Sequence, residues 1–586
     1  MAAASESVLL RFGNEVAKQP TLFSGPMKSR FLGVPVTSGA ISWAGRKRQV
    51  DSRLRLAGVR AVAEAARVQS LSGQEPNFGM AIDTVAEEVL RGEGFSGMRK
   101  TKLVCTIGPA CCSLLELERL AAGGMNVARL NMCHNSRDWH RDVIAKIKKL
   151  NEQKGFSVSV MIDTEGSQIH VVDHGAPSSL KAEEGSVWVF TSQKFEGSRP
   201  FTVRANFEGF SQGIMVGDEL VIDGGMASFV VVEKMGDDLR CKCTDPGLLL
   251  PRAKMSFWRN GKLSYHGLPT LSKKDWEDID FGVSEGIDFI AVSFVSDADS
   301  IKQLKNYLST SSSNRSVKVL AKVETLESLQ NLEEIVEASD GIMVARGDLG
   351  VEVPIEQIPT VQEEITRICR QLNKPVIIAS QLLESMIEYP TPTRAEVADV
   401  TEVVRQYADA LMLSGESAIG SNGQKAVSVL KMVSSRMELW TREEHQQASA
   451  LYSYKKLGAS LADRIAEAIC NSAVEMANNL GVDAIFVYTK HGEMASLLSR
   501  NRPNPPIFAF TNDRSVRMGL NLQWGVIPVL VDNLSEDMEA NVLKTTQLLK
   551  TKGMVKRGCS VLVVSDIFST SATPNAFQSI KMITIS

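Results

Sequence analysis

The stretch VKVLAKVETLESLQNLEEIVEASDGIMVARGD, residues 317–348, decides the fold. It reads as a strand (VKVLAKVE, 317–324), an amphipathic helix and a second strand (GIMVARGD, 341–348). Near-continuous apolar strands joined by a helix belong to a parallel sheet covered on both faces. The same unit recurs in both directions. Upstream, KLVCTIG (102–108), NVARLNM (126–132), VSVMID (158–163) and DFIAVSF (288–294) read as strands, and LLELERLAAGG and WHRDVIAKIKKLNE as helices. Downstream come PVIIAS (375–380) and ADALMLSGE (408–416). Eight short apolar strands, each followed by a helix, predict an α/β fold built on a closed (β/α)8 TIM barrel. The reactive groups of such a barrel stand at the C-terminal ends of its strands.

The rhythm breaks between the third and fourth strands. Over 168–268, EGSVWVFTS, GDELVIDGG, MASFVVVEKMG and DDLRCKCTDPG alternate apolar and polar residues between Gly/Asp turns. This predicts a small antiparallel β domain inserted on the catalytic rim as a lid. The barrel then spans 98–167 and 269–440. Over 455–586, the helical AICNSAVEMANNLG and the strands DAIFVYTK, PPIFAF, VIPVLV and SVLVVSD predict a C-terminal open α/β domain.

Composition narrows the partners. The 586 residues carry a net charge of -3 and are 44% hydrophobic. That balance offers no basic field to displace counterions from nucleic acid, and no apolar run approaches the roughly 20 residues of a membrane helix. Neither nucleic acid nor membrane is an expected partner. Nine scattered cysteines suit a reducing compartment, and Cys241-Lys242-Cys243 lacks the second ligand pair of a zinc site. Residues 1–70 stand apart, with Arg46-Lys47-Arg48 and many other basic residues against few acids. Their composition is that of an organellar transit peptide or a disordered basic extension, and 71–97 reads as a linker or N-terminal helical segment.

Residues two apart on a strand share a face, so Lys322 and Glu324 point together into the barrel mouth. One unit later the strand ends in Gly347-Asp348. Two carboxylates from adjacent strand ends suit a Mg²⁺ or Mn²⁺ site that shares its ligands with substrate and water. A lysine beside them can neutralise a phosphoryl group or a developing enolate. A single strand-end Lys–Glu pair is as readily a rim salt bridge; the two ends side by side favour chemistry.

With these motifs the chain resembles the pyruvate kinase family. The resemblance lies in LAKVETLESL (320–329), MVARGDLGVEVP (343–354), LESMIEYPTPTRAEVADV (383–400), TKLVCTIGPA (101–110), MNVARLN (125–131) and ALMLSGESA (410–418). It covers nearly everything after residue 98, in order and with the insertion in place. The basic extension and NMCHN (131–135) are most similar to plant plastidial members. The resemblance implies phosphoryl transfer from phosphoenolpyruvate to ADP, giving pyruvate and ATP in the plastid (chloroplast stroma). It implies Glu324 and Asp348 as ligands of Mg²⁺ (or Mn²⁺), Lys322 on the phosphoryl group and enolate, and Arg129 on phosphate. Backbone N–H groups at Gly347 and Asp348 would cradle the substrate's phosphate or carboxylate. Ser380 stands where the family usually has threonine, and either hydroxyl can orient substrate or pass a proton to the enolate carbon. Asn131, His134 and His170 are implied at the nucleotide corner, and Asn131, Cys133, Asp163 and Thr164 at the K⁺ site. An oligomer is implied too, of identical chains or with a paralogous plastidial subunit.

The chain also departs from the family. Cys133 brings sulfur where a serine oxygen is usual, a poor ligand for a hard alkali cation. Where the family reads Asp-Thr-Lys-Gly-Pro-Glu-Ile-Arg, this chain has Asp163-Thr164-Glu165-Gly166-Ser167-Gln168-Ile169-His170. Glu165 reverses a charge, Gln168 removes one, and His170 replaces a permanently charged guanidinium. The lid stretch Arg252-Ala253-Lys254 lacks the family's lysine–glycine pattern. In TKHGEMA, His491 and Glu493 stand where effector-binding relatives carry a small residue and arginine, and the glutamate would repel a sugar bisphosphate. Three readings therefore compete: an active kinase with a modified cation site, a weakly active regulatory subunit needing a paralogous partner, and a binding scaffold on a retired barrel.

Overall fold

A computed structural model describes residues 98–586 without 168, 174–179, 196, 198, 223–225, 250–252, 261, 264–268, 311–315, 441–456, 458–459, 536 and 566–578. The proposed transit extension (1–70), the segment 71–97, Gln168 and Arg252 lie outside the described residues.

Eight parallel strands close a barrel in sequence order. They are β1 (Lys102–Thr106), β2 (Val127–Asn131), β3 (Ser159–Asp163), β4 (Phe289–Val292), β5 (Lys318–Val323), β6 (Gly341–Ala345), β7 (Val376–Ala379) and β8 (Ala410–Leu413). β8 pairs back onto β1 through Lys102 and Ala410. Alternation along the strands sorts their side chains into two layers. Leu103, Cys105, Val160 and Ile162 pack in the outer core, while Val104, Met161, Leu320, Met343 and Met412 fill the interior. Leu522 of the C-terminal domain joins that inner cluster. Beside it, Asn521 Nδ2 donates to Ser159 Oγ at 2.8 Å and to Ser157 O at 2.7 Å, at the start of β3. With the lower mouth filled, the rim at the C-terminal strand ends is left for chemistry.

After β3 the chain leaves the barrel for an eight-stranded sheet with a two-stranded companion. This domain has its own core, in which Trp188, Phe190, Phe229 and Phe257 meet. The expectation of purely antiparallel pairing needs one correction. Strands Val187–Thr191 and Thr202–Ala205 run parallel, a pairing that a two-residue hairpin turn cannot join. Cys241 and Cys243 face this core, and burial pushes the Cys241 thiol up to about 12.

The C-terminal domain is a five-stranded sheet in the order Val526–Leu530, Ile507–Thr511, Ala484–Tyr488, Ser560–Ser565 and Ser579–Thr584. The last strand is antiparallel and was not foreseen, since half of SIKMIT faces solvent and its apolar signal is weak. Two arginines hold this domain to the barrel. Arg500 pairs with Glu467 at 2.7 Å and donates to Arg370 O at 3.0 Å and Gln371 O at 2.9 Å, the last carbonyls of the barrel helix Ile358–Gln371. Arg502 pairs with buried Asp409 at 2.8 Å and donates to Tyr407 O at 2.7 Å. Arg502→Met would strand the Asp409 carboxylate in the seam, at a cost of about 3–5 kcal/mol. Urea denaturation checks this: a wild-type midpoint in the variant would show that the pair does not hold the seam.

Candidate active site

The site grows from the turn after β3. Thr164 N–H extends the ladder to Ala291 O at 3.0 Å, and the chain then bends at Gly166, where φ is +76°. A Cβ at Gly166 would lie 2.8 Å from Phe294 Cδ2 and 2.9 Å from Ser293 Cβ, so only glycine fits. Asp275 fixes the bend from the next helix, Lys273–Ser284. Its Oδ2 completes a capping box with Ser272, while its Oδ1 accepts Glu165 N–H at 2.9 Å and Gly166 N–H at 3.2 Å.

Asp163 lies at the centre of the charge cluster. Its Oδ2 accepts Arg129 Nε–H at 2.7 Å, and its Oδ1 lies 3.2 Å from Lys322 Nζ. Burial opposes the Asp163 anion, but Arg129 and Lys322 outweigh it and hold the carboxyl below the usual range. Burial likewise opposes the Lys322 ammonium, yet Asp163 and Glu324 keep its pKa above the ordinary lysine value. Lys322 Nζ also donates to Ser293 Oγ at 2.9 Å, and that hydroxyl donates to Thr164 O at 2.7 Å. Arg129 Nη1 donates to Thr106 Oγ1 at 3.0 Å. Both cations are thus fixed in direction as well as in place.

Glu324 is buried, with Oε2 accepting Phe294 N–H at 2.7 Å and Oε1 at 2.8 Å from Lys322 Nζ. That second contact is an ion pair without hydrogen-bond geometry, and it leaves Oε1 with no donor. Burial pushes the Glu324 carboxyl up against the pull of Lys322, and the charge of Asp348 adds to the rise. A hard divalent cation between Glu324 and Asp348 would use the orphaned oxygen and offset the repulsion, so these residues fit Mg²⁺ or Mn²⁺.

Gly347 and Asp348 open the helix Arg346–Glu352. A Cβ on Gly347 would lie 3.6 Å from Ser380 Cβ and 3.7 Å from its Oγ, so Ser380 borders the same turn. Ser380 and Gln381 both have positive φ, 73° and 55°. Arg346 holds them there, its Nη2 donating to Ser380 O at 2.8 Å and Gln381 O at 3.2 Å. Asp399 fixes that guanidinium with both oxygens, at 2.7 and 2.8 Å.

The corner after β2 is built differently. Asn131 pairs in register with Asp163, and its Oδ1 accepts Cys133 N–H at 3.1 Å. Thr164 Oγ1 accepts Ser293 N–H at 3.0 Å. With sulfur at Cys133 and the Asp163 carboxylate between two fixed cations, the four side chains do not fit an oxygen cage for K⁺. His134 is exposed on the same loop. Glu165 lies 3.0 Å from Lys274 Nζ and 3.9 Å from His170 Nε2. Lys274 in turn donates to Met132 O and Asp278 Oδ2, each at 2.8 Å. The reversed charge at Glu165 is therefore matched locally, and the matching lysine orders the 131–135 loop. In the C-terminal domain, His491 and Glu493 are exposed, with Glu493 opening the helix Glu493–Arg500.

Family models agree with this geometry. The pyruvate kinase barrel domain matches residues 98–427, and the pyruvate kinase alpha/beta domain matches 467–578. The chain belongs to the pyruvate kinase family. It is 57% identical to the chloroplastic pyruvate kinase isozyme A of Ricinus communis over 86% of this chain and 87% of that one. The Nicotiana tabacum isozyme of the same name is 57% identical, over 84% of each chain. A crystal structure of a pyruvate kinase from Cryptosporidium parvum superposes with a TM-score of 0.73 at 30% identity, covering 84% of this chain and 97% of that one.

Within this pyruvate kinase barrel, several contributors escaped the sequence reading. Ser293, Arg346, Asp399, Asp275 and Lys274 position the charged groups without standing out as motifs. Ser293 carried the clearest signal, as a hydroxyl directly after an apolar strand on the rim. Asp163→Asn would leave Arg129 and Lys322 without their shared counter-ion, at a cost of about 3–5 kcal/mol. The folded-state pKa is depressed, so this stability is present above the unfolded value of about 3.9 and is lost as pH falls through the lower folded value. The gap between wild-type and variant unfolding midpoints should accordingly close on acidification. A gap that is constant across that pH range would contradict the assignment.

Proposed function

We infer that this chain transfers the phosphoryl group of phosphoenolpyruvate to ADP in plastids. The observation that carries this reading is Lys322, set between Asp163 and Glu324 on the open rim of a pyruvate kinase barrel. The P–O bond to the enol oxygen breaks, a β-phosphate oxygen of ADP takes the phosphorus, and the enolate takes a proton at C3. Lys322, fixed by three partners, stays cationic throughout and stabilises the charge that builds on the phosphoryl group and the enol oxygen. Arg129 offers its remaining N–H groups to phosphate. A divalent cation held by Glu324 and Asp348 would supply further charge neutralisation there. Ser380, held at its unusual φ by Arg346, would orient the substrate or pass a proton through water to C3. Asn131, His134 and His170 are proposed at the nucleotide side.

The basic composition of residues 1–70 and the chloroplastic names of the two 57% identical relatives support the plastid assignment. Plastidial paralogues, such as isozyme G of Nicotiana tabacum at 41% identity, supply candidates for a mixed oligomer. A fluorescent fusion lacking residues 1–70 should stay outside plastids, and its import would overturn that part of the reading.

Purified alone, the chain should form pyruvate from phosphoenolpyruvate only when ADP is present. Lys322→Met should lower turnover by about 10²–10³-fold, the cost of removing one preorganised charge donor. Exchanging K⁺ for Na⁺ at equal ionic strength should change the rate by less than about threefold, because the cation corner is not an oxygen cage. Turnover that appears only on adding a plastidial paralogue would assign the chemistry to the partner. Unimpaired turnover in Lys322→Met would retire the mechanism.

A further inference from the structure

The inserted domain joins the barrel through two paired segments. Val171 N–H donates to Ala253 O at 2.9 Å, Met255 N–H donates to Ile169 O at 2.8 Å, and His170 faces Lys254 in an antiparallel bridge. From the returning segment, Lys254 reaches back onto the barrel rim. Its ammonium lies 4.8 Å from the centre of the Phe294 ring and 4.0 Å from Glu352 Oε1. Each contact leads on to a carboxylate of the site. The Phe294 N–H donates to Glu324 Oε2 at 2.7 Å. Glu352 ends the helix whose first turn carries Asp348, and its Oε2 accepts Leu326 N–H at 2.9 Å, two residues past Glu324. One lysine of the lid thus touches the supports of both acids.

Phe294 is itself held in an uncommon state. Its φ is 54°, a left-handed conformation that a bulky residue keeps only when its surroundings impose it. The surroundings here are Gly166 against the ring, Lys254 over its face and Glu324 on the backbone N–H. A change at any one of them alters the balance that keeps this N–H aimed at Glu324.

We propose that Phe294 is a positioning residue through which the inserted domain sets the orientation of Glu324, with Lys254 as the contact on the lid side. This rests on the reading of Glu324 and Asp348 as a divalent-metal pair. By linkage, a cation that favours the oriented carboxylate favours the lid contact to the same extent.

The test is Mn²⁺ binding to the full chain, followed by electron paramagnetic resonance without substrate or nucleotide. Lys254→Met and Phe294→Leu should each weaken Mn²⁺ binding by about three- to tenfold, less than the ~10–100-fold typical of a group bonded directly to a ligand. The double variant should bind no more weakly than the weaker single, because both changes break one chain of contacts. Lys254→Arg and Phe294→Tyr keep the cation and the ring, and should bind as wild type. Should Phe294→Leu fail to fold, the Met and Arg variants at Lys254 decide the matter. Wild-type affinity in Lys254→Met, or losses that multiply in the double variant, would overturn the relay alone. A wild type that binds Mn²⁺ no better than Glu324→Gln would overturn the metal reading itself, and the relay with it.

Discussion

Asp163 meets Arg129 on one oxygen and Lys322 on the other, with all three residues buried. Two buried cations, one from β2 and one from β5, would repel each other, and each would lose its hydration. A shared carboxylate offsets both costs and fixes where the cations point. Lys322 can therefore turn to Glu324 and Ser293, and Arg129 to Thr106, without either side chain having to search for its position. The rest of the rim is arranged around that fixed pair. The bend at Gly166, the cap by Asp275 and the hydroxyl of Ser293 all hold the turn that presents Asp163 and Thr164.

The barrel was legible in the sequence because its strands are buried on both faces. Continuous apolar runs such as GIMVA and VIIA cannot serve any other purpose at that length between helices. The charged members of the site were legible for the opposite reason: a lysine or an acid ending such a run is costly unless it does something. Contributors whose cost is hidden stayed out of view. Arg346 and Asp399 are 53 positions apart in sequence, and only the fold brings them together over the Ser380 carbonyl. Phe294 looked like the end of a strand, and its positive φ is a property of the assembled rim. The parallel pair in the inserted domain was missed because alternation reports burial and says nothing of strand direction.

The departures at Glu165 and His170 take on a different meaning once their partners are seen. Read alone, they subtract positive charge from a phosphate-handling rim. In the fold, Glu165 faces Lys274, and burial's penalty on that ammonium is outweighed by Asp278 and Glu165. Lys274 then bonds the carbonyl of Met132 and steadies the loop carrying Asn131, Cys133 and His134. The rim is rewired, with its central cluster of Arg129, Lys322, Asp163 and Glu324 intact. This is why the chain reads as a working enzyme with an altered cation corner and not as a retired barrel.

The central claim is that Glu324 and Asp348 jointly bind a divalent cation beside Lys322. Anomalous diffraction from crystals of the full chain grown with Mn²⁺ tests it most directly. A single strong peak should lie about 2.0–2.3 Å from Glu324 Oε1 and from an Asp348 carboxylate oxygen, the distance range of small divalent cations on oxygen. A peak elsewhere, with Glu324 Oε1 bonded only to Lys322, would contradict the account.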